Sequence, residues 1–168
     1  MSDTYNVGCV GLFFGAPDVV TDYLWDTDNL RRHVPHVQDL EHLTASSSGK
    51  QLFRMQLCPP GAAAAQIVTV RTREHCRIKY VQLQTHPLLR SHEGEWLVSP
   101  DPAGNGSLVY LNHRLRLDEA KVEQARPRDA VGTAWALDLV RQSGRRSLAA
   151  LSSAFSLKEP AATARGSS

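Results

Sequence analysis

YVQLQTHPLLRSHEGEWLVSPDPAGNGSLVYLNHRL, residues Tyr80–Leu115, contains three apolar–polar alternating runs broken by a Thr-His-Pro bend and a turn rich in Gly, Pro and Asn. Alternation of this kind marks half-buried β-strands. Along SLVYLNHRL, period-two spacing places Val109, Leu111, His113 and Leu115 on one face. With that face inward, a titratable imidazole sits among apolar neighbours, where its pKa and its proton can be put to use.

Outward from this segment the chain keeps reading as sheet. Tyr5–Phe14 is an apolar strand that ends at Gly-Ala-Pro-Asp, and Asp18 is placed to cap a helix over Val19–Trp25. Asp26 or Asp28 caps a second short helix, NLRRHV, which Pro35 stops. His36–Thr44 and Gln51–Leu57 are strands joined by the Ser/Gly turn at Ser46–Lys50. After the irregular CPPGAAAA come the strand AQIVTVRTR, a tight connection at Glu74–Cys76, and CRIKYVQLQT.

The last region differs in kind. From Arg126 to Leu157, apolar residues Val131, Trp135, Leu139, Leu148, Leu151 and Phe155 recur at helical spacing. Gly144 should weaken the middle of that helix by about 1 kcal/mol relative to Ala. The final residues 158–168, rich in Ala, Gly and Ser, are expected to be disordered. Sequential strands joined by short turns pair antiparallel. The expectation is therefore one α+β domain over residues 1–157. A curved antiparallel sheet of about seven strands wraps a long C-terminal helix, with two short helices after the first strand. Such a helix, about 27 residues and about 40 Å long, leaves a cavity against the sheet, and function belongs in that cavity.

Composition narrows the function classes. The chain has 168 residues, 42% hydrophobic and 21% charged, with a net charge of +2. That charge is too small to argue for nucleic acid or an anionic membrane. No apolar run approaches the roughly 20 residues of a membrane-spanning helix. Three scattered cysteines, Cys9, Cys58 and Cys76, with no CxxC pair, suggest free thiols in a reducing, cytoplasmic compartment and no common zinc pattern. His33 and His36 flank Pro35 without a carboxylate at ligand spacing, and are read as surface residues.

The order of elements resembles helix-grip, START-like proteins, also called the Bet v 1 fold. YVQLQTHP, then EGEW, then LVYLNH further resemble the motifs of bacterial aromatic-polyketide aromatase/cyclases, as do LWDTDNLRRHVPHV and RQSGRRSLAAL. The likeness spans roughly residues 8–155. It implies an enzyme that receives a poly-β-ketone from an acyl carrier protein of a polyketide synthase. The enzyme folds that chain in the cavity and promotes an intramolecular aldol condensation followed by dehydration, with no metal or other cofactor. The resemblance carries the catalytic arginine to Arg71, with Arg73 as the alternative, and the catalytic histidine to His113. The acidic residue expected on the long helix falls on Ser147, which is not acidic. His113 then lacks one expected partner.

These residue types suit that chemistry. Ring closure removes a proton between two carbonyls and puts negative charge on an enolate oxygen. An imidazole with pKa near neutrality takes and returns protons, contributing typically about 10²–10⁴-fold. A guanidinium offers a cationic fork of donors to adjacent oxygens. Tyr80 and Gln82 are placed to hydrogen-bond ketone oxygens, and Trp96 to wall a forming ring. Each also has an ordinary reading: a satisfied sheet histidine, a solvated arginine, packing aromatics, a helix serine. Arg141, Arg145 and Arg146 make a basic stretch of the long helix, read either as a solvated face or as a dock for an acidic carrier protein. A non-catalytic START-like carrier of a lipid, quinone or other small apolar ligand is the competing function, and the missing acid favours it.

Overall fold

Strands β1 (Thr4–Phe13), β2 (Val37–His42), β3 (Lys50–Leu57), β4 (Ala65–Glu74), β5 (Arg77–Gln84), β6 (Leu89–Pro100) and β7 (Ser107–Leu117) form one antiparallel sheet in the order β1-β7-β6-β5-β4-β3-β2. The computed structural model describes residues 3–158. Helices α1 (Pro17–Trp25) and α2 (Thr27–His33) follow β1, α3 (Glu119–Ala125) follows β7, and α4 (Gly132–Lys158) closes the described chain. This is the helix-grip architecture expected from the sequence. Hairpins account for every pairing but one. β1 pairs with β7 along their whole length, Thr4 opposite Arg116 through Phe13 opposite Ser107.

Local chemistry explains most boundaries and corrects four. α1 starts at Pro17, with Ala16 at the cap, and not after Asp18. Proline's fixed φ suits the first helical position, and Asp18 instead lies in the first turn, complementing the helix dipole. Asp26 caps α2, its carboxylate accepting from the Asp28 N–H at 2.9 Å. α3 was not anticipated, although the Asp118 carboxylate accepts from Lys121 N at 3.2 Å as an ordinary N-cap does. Val131 precedes α4 and is exposed. Lys158, assigned to the tail, ends α4 and donates to Asn29 Oδ1 at 3.0 Å. Residues 159–168 of the expected disordered tail lie outside the described residues.

α4 grips the sheet by its small residues. A β-carbon on Gly11 of β1 would stand 3.3 Å from Leu148 Cβ, and Ser152 Oγ donates to Leu12 O at 2.5 Å. Buried apolar side chains collect in two clusters. One joins Phe13, Leu24, Val109, Leu151 and Phe155. The other joins Val7, Leu89, Leu115, Val122 and Ala136.

The register also aligns the chemistry. Gln51 on β3, Arg71 on β4, Tyr80 on β5, Gly94 on β6, His113 on β7 and Val7 on β1 stand directly opposite one another in a single row. Directly opposed residues share a face. Val109, Leu111 and Leu115 are buried as the alternation requires, so this row faces α4. Arg71 and His113 are three strand spacings apart, about 14 Å along the sheet.

Candidate functional site

A cavity of about 200 Å³ lies between the sheet and α4. Its walls are mostly apolar, with Phe53, Ile67, Trp96, Leu111 and Val140 among them. The β3–β4 loop (Pro59, Ala62) and the β5–β6 loop (His86, Leu88) border it, tied by His86 Nε2 and Ala63 O at 2.9 Å. No Asp or Glu lines it among the described residues.

His113 reaches the cavity from β7. Its Nδ1 meets the Tyr80 hydroxyl in a short hydrogen bond and lies 3.0 Å from His92 Nε2. His92 Nε2 in turn is 3.1 Å from Tyr80 Oη. Three polar atoms from three adjacent strands thus meet in a triangle. Gly94 makes it possible. A β-carbon there would fall 2.5 Å from Tyr80 Oη, 2.7 Å from Tyr80 Cζ and 2.1 Å from Asn112 O, so only glycine lets the phenol lie across β6. The other imidazole nitrogen, His113 Nε2, is buried and has no hydrogen-bond partner among the described residues.

α4 comes close to that nitrogen at Gly144. A β-carbon on Gly144 would stand 3.1 Å from His113 Nε2 and 3.1 Å from Cys9 Sγ. The glycine that weakens the helix locally is therefore what leaves room beside the imidazole. Burial pushes the His113 pKa down to about 4. Burial, then proximity to His113, pushes His92 down to about 3. Burial raises Tyr80 far above its usual range. At neutral pH the triangle is uncharged, and the near-neutral pKa expected for His113 is not what its surroundings produce.

Arg71 also lines the cavity, but its fork is turned into the protein. Nε and Nη2 donate to Gln51 Oε1 at 3.1 and 2.8 Å, Nη1 to Leu24 O at 3.1 Å, and Nη2 to Trp25 O at 2.7 Å. Leu24 and Trp25 are the last residues of α1, whose final carbonyls have no helical partner and carry the negative end of the dipole. The guanidinium packs over the Trp25 ring at 5.1 Å and the Phe53 ring at 5.4 Å. Of its five N–H donors, one on Nη1 is left over. Burial lowers its pKa to about 9, against the opposing pull of Asp26, so it remains a cation at neutral pH.

The other expected site residues divide. Tyr80, Gln82, Trp96 and Ser147 line the cavity. Gln82 Oε1 is buried without a partner among the described residues. The Ser147 hydroxyl donates to Ser143 O at 2.8 Å, a bond within α4 that leaves it no proton for His113. Arg73 does not join the cavity. Its Nη1 pairs with Asp22 at 2.7 Å, because β4 runs on past the cavity to where α1 docks. Nor is His36 a surface residue. It lines the cavity with its Nδ1 buried and unpartnered, and burial, then the charge of Arg146, lowers its pKa. With Thr69 Oγ1, four polar atoms of cavity residues (His36 Nδ1, Thr69 Oγ1, Gln82 Oε1, His113 Nε2) have no partner among the described residues. Buried polar atoms of this kind are costly unless a guest's polar groups or water pair with them.

His92 was missed, although a signal existed: the alternation that turns Trp96 inward along HEGEW turns Gly94 and His92 inward as well. Cys9, Cys58 and Cys76 are free thiols. Among the described residues no cluster of three or more His, Cys, Asp or Glu side chains is arranged to hold a metal, and no helix is long and apolar enough to cross a membrane.

No family model matches the sequence, and no curated protein matches it. Solved structures do match the fold. The di-domain aromatase/cyclase StfQ of the steffimycin pathway superposes with a TM-score of 0.78 at 19% identity, over 92% of this chain and 52% of that one. The Zhui aromatase/cyclase from a Streptomyces species gives 0.77 at 19% identity over 96% and 99% of the two chains. A START superfamily protein from Mycobacterium smegmatis gives 0.68 at 9% identity over 92% and 98%. The chain spans about half the length of the di-domain protein. At such identities the likeness establishes the START-like, helix-grip fold that aromatase/cyclases and other START proteins share.

Proposed function

We propose that this protein is a polyketide aromatase/cyclase acting on a poly-β-ketone delivered by an acyl carrier protein, in the cytoplasmic biosynthesis of an aromatic polyketide of antibiotic type. The observation that carries the reading is His113 Nε2: a neutral, buried imidazole nitrogen held from behind by Tyr80 and His92 and left unpaired in an apolar cavity. The aromatase/cyclase neighbours of the same fold support it.

The chemistry follows from that placement. Nε2 removes a proton from a methylene between two carbonyls, and the resulting enolate carbon attacks a carbonyl farther along the folded chain. That bond closes the ring, the alkoxide takes a proton back, and loss of the hydroxyl with a neighbouring C–H proton as water makes the ring unsaturated. Apolar walls such as Trp96 and Leu111 limit which carbons meet, which is a catalytic contribution in itself. Gln82 and Thr69 offer hydrogen bonds to ketone and enol oxygens. The leftover Nη1 donor of Arg71 and its positive charge favour a developing oxyanion. Substrate spanning the row from His113 to Arg71 would have to be an extended chain, since the two lie about 14 Å apart.

The test is incubation with a reconstituted ketosynthase and carrier protein. Wild type should shift the products toward one ring closure, and His113→Ala should return the spontaneous mixture. Unchanged products with His113→Ala would remove the role assigned to His113. A second reading, a non-catalytic carrier of a small apolar ligand, is favoured by the commitment of the Arg71 fork to protein oxygens and by serine at position 147. It predicts ligand binding and no change in which ring forms, even with wild type.

A further inference from the structure

We propose that Tyr80 and His92 form a proton relay behind His113 that does the work of the helix carboxylate for which this chain has Ser147. The inference rests on the acid/base reading of His113 above and deepens it. A catalytic imidazole needs a group on its far nitrogen that fixes the tautomer and accommodates the proton gained at the near one. Here no carboxylate lines the cavity among the described residues, and Ser147 is bonded to Ser143 O. The far nitrogen, Nδ1, faces the Tyr80 hydroxyl and His92 Nε2.

Counting protons shows why three neutral groups suffice. A phenol carries one O–H, and each neutral imidazole carries one N–H on either nitrogen. In one arrangement, His113 Nδ1–H donates to Tyr80 Oη, the Tyr80 hydroxyl donates to His92 Nε2, and His113 Nε2 is a bare base. In the other, His92 Nε2–H donates to Tyr80 Oη, the hydroxyl donates to His113 Nδ1, and His113 Nε2–H is an acid facing the cavity. Both satisfy all three atoms of the triangle. Passing from the first to the second moves two protons along contacts already made, while His113 Nε2 gains one proton from outside the triangle and His92 Nδ1 gives one up.

During enolisation the substrate C–H bond breaks and its electron pair enters the enolate, while an N–H bond forms at His113 Nε2. The Nδ1 proton passes to Tyr80 Oη, and the old hydroxyl proton passes to His92 Nε2. The net result is an enolate and a cationic His92, with His113 neutral again. Reversal returns one proton to the alkoxide after ring closure. His92 is half-buried on β6 and also lines the cavity, so the charge ends one strand away from Nε2 along the same cavity wall. Gly94 and Gly144 bracket the device: the first admits the phenol, the second keeps the helix off Nε2.

The test uses the full chain with ¹⁵N-labelled histidine, in wild type, Tyr80→Phe and His92→Gln. Imidazole ¹⁵N shifts report the tautomer of each ring independently of any reaction. Both variants should change the His113 tautomer ratio. In the cyclisation assay both should lower the rate at least about tenfold and turn a curved dependence on the deuterium fraction of the solvent into a linear one, as fewer protons move together. His113 shifts that stay at their wild-type values in both folded variants would overturn the relay, and so would undiminished rates with unchanged isotope curvature. Should His92→Gln fail to fold, Tyr80→Phe, which keeps the ring and its packing, decides alone. Absence of cyclisation by wild type would instead overturn the proposed function, and the ¹⁵N shifts would still judge the hydrogen-bonded coupling.

Discussion

Arg71→Met should destabilise the fold by about 2–4 kcal/mol, and the figure follows from what the guanidinium holds. Methionine preserves much of the packing over Trp25 and Phe53 but offers no donor. Trp25 O keeps Gln51 Nε2 at 3.0 Å. Leu24 O and Gln51 Oε1 lose their Arg71 partners, and a buried acceptor left unpaired costs about 1–3 kcal/mol. Removing a desolvated cation offsets part of this loss and keeps the total in the lower half of the summed range. With a urea m-value of about 2 kcal/mol/M, the midpoint measured by circular dichroism should fall by about 1–2 M. Gln51→Leu in the same background removes one stranded acceptor but also takes Gln51 Nε2 away from Trp25 O, so it should recover little of the loss. If Arg71→Met left the midpoint within about 0.3 M of wild type, or raised it, the clamp on the α1 carbonyls would be energetically idle. Arg71 would then be the kind of residue kept for ligand at some cost in stability.

Two other outcomes are expected. The folded-state pKa of His113 lies at about 4, below the ordinary value of about 6.5, so the unfolded chain binds the proton first as pH falls. Its contribution to stability is complete above about pH 7 and is lost between about 6.5 and 4, amounting to about 2 kcal/mol at pH 5. Urea titrations at pH 8 and pH 5 should show that loss in wild type and a smaller one in His113→Phe; equal losses in the two would refute it. Gly94→Ala places a carbon 2.1 Å from Asn112 O and 2.5 Å from Tyr80 Oη, and overpacking of this kind costs typically about 1–3 kcal/mol. A thermal midpoint equal to that of wild type would show that β6 accommodates the methyl without disturbing the triangle.

How far the sequence could be read is clearest residue by residue. Alternation alone assigns His113 to the inner face, and the structure makes it a cavity-lining residue. The same rule, applied two residues either side of Gly94, would have turned His92 inward next to Trp96. Arg71 was placed on the cavity side through the resemblance, yet its bonds to Leu24 O and Trp25 O join residues 47 and 46 positions apart, and no local pattern announces contacts of that range. Gly144 carries the sharpest reversal. Helix propensity marks it as a weak point, whereas tertiary contact makes it the place where α4 clears His113 and Cys9. His36 failed for a related reason: polar residues around a proline read as surface until α4 brings Arg146 and a cavity wall to them.

By itself the sequence determined the succession of strands, the antiparallel hairpins, the long final helix and the inward face of the strand that carries His113. Period-two and period-3.6 patterns, caps and turn residues act over a few positions and survive without knowledge of the partner. Only the tertiary structure decided which inward groups meet. Hydrogen bonds form over about 3 Å, while the registry that aligns Gln51, Arg71, Tyr80, Gly94 and His113 is the joint product of four strand pairings. It also decided that the imidazoles are neutral, because a pKa reports the water and charge around a group, and those are supplied by residues distant in the chain.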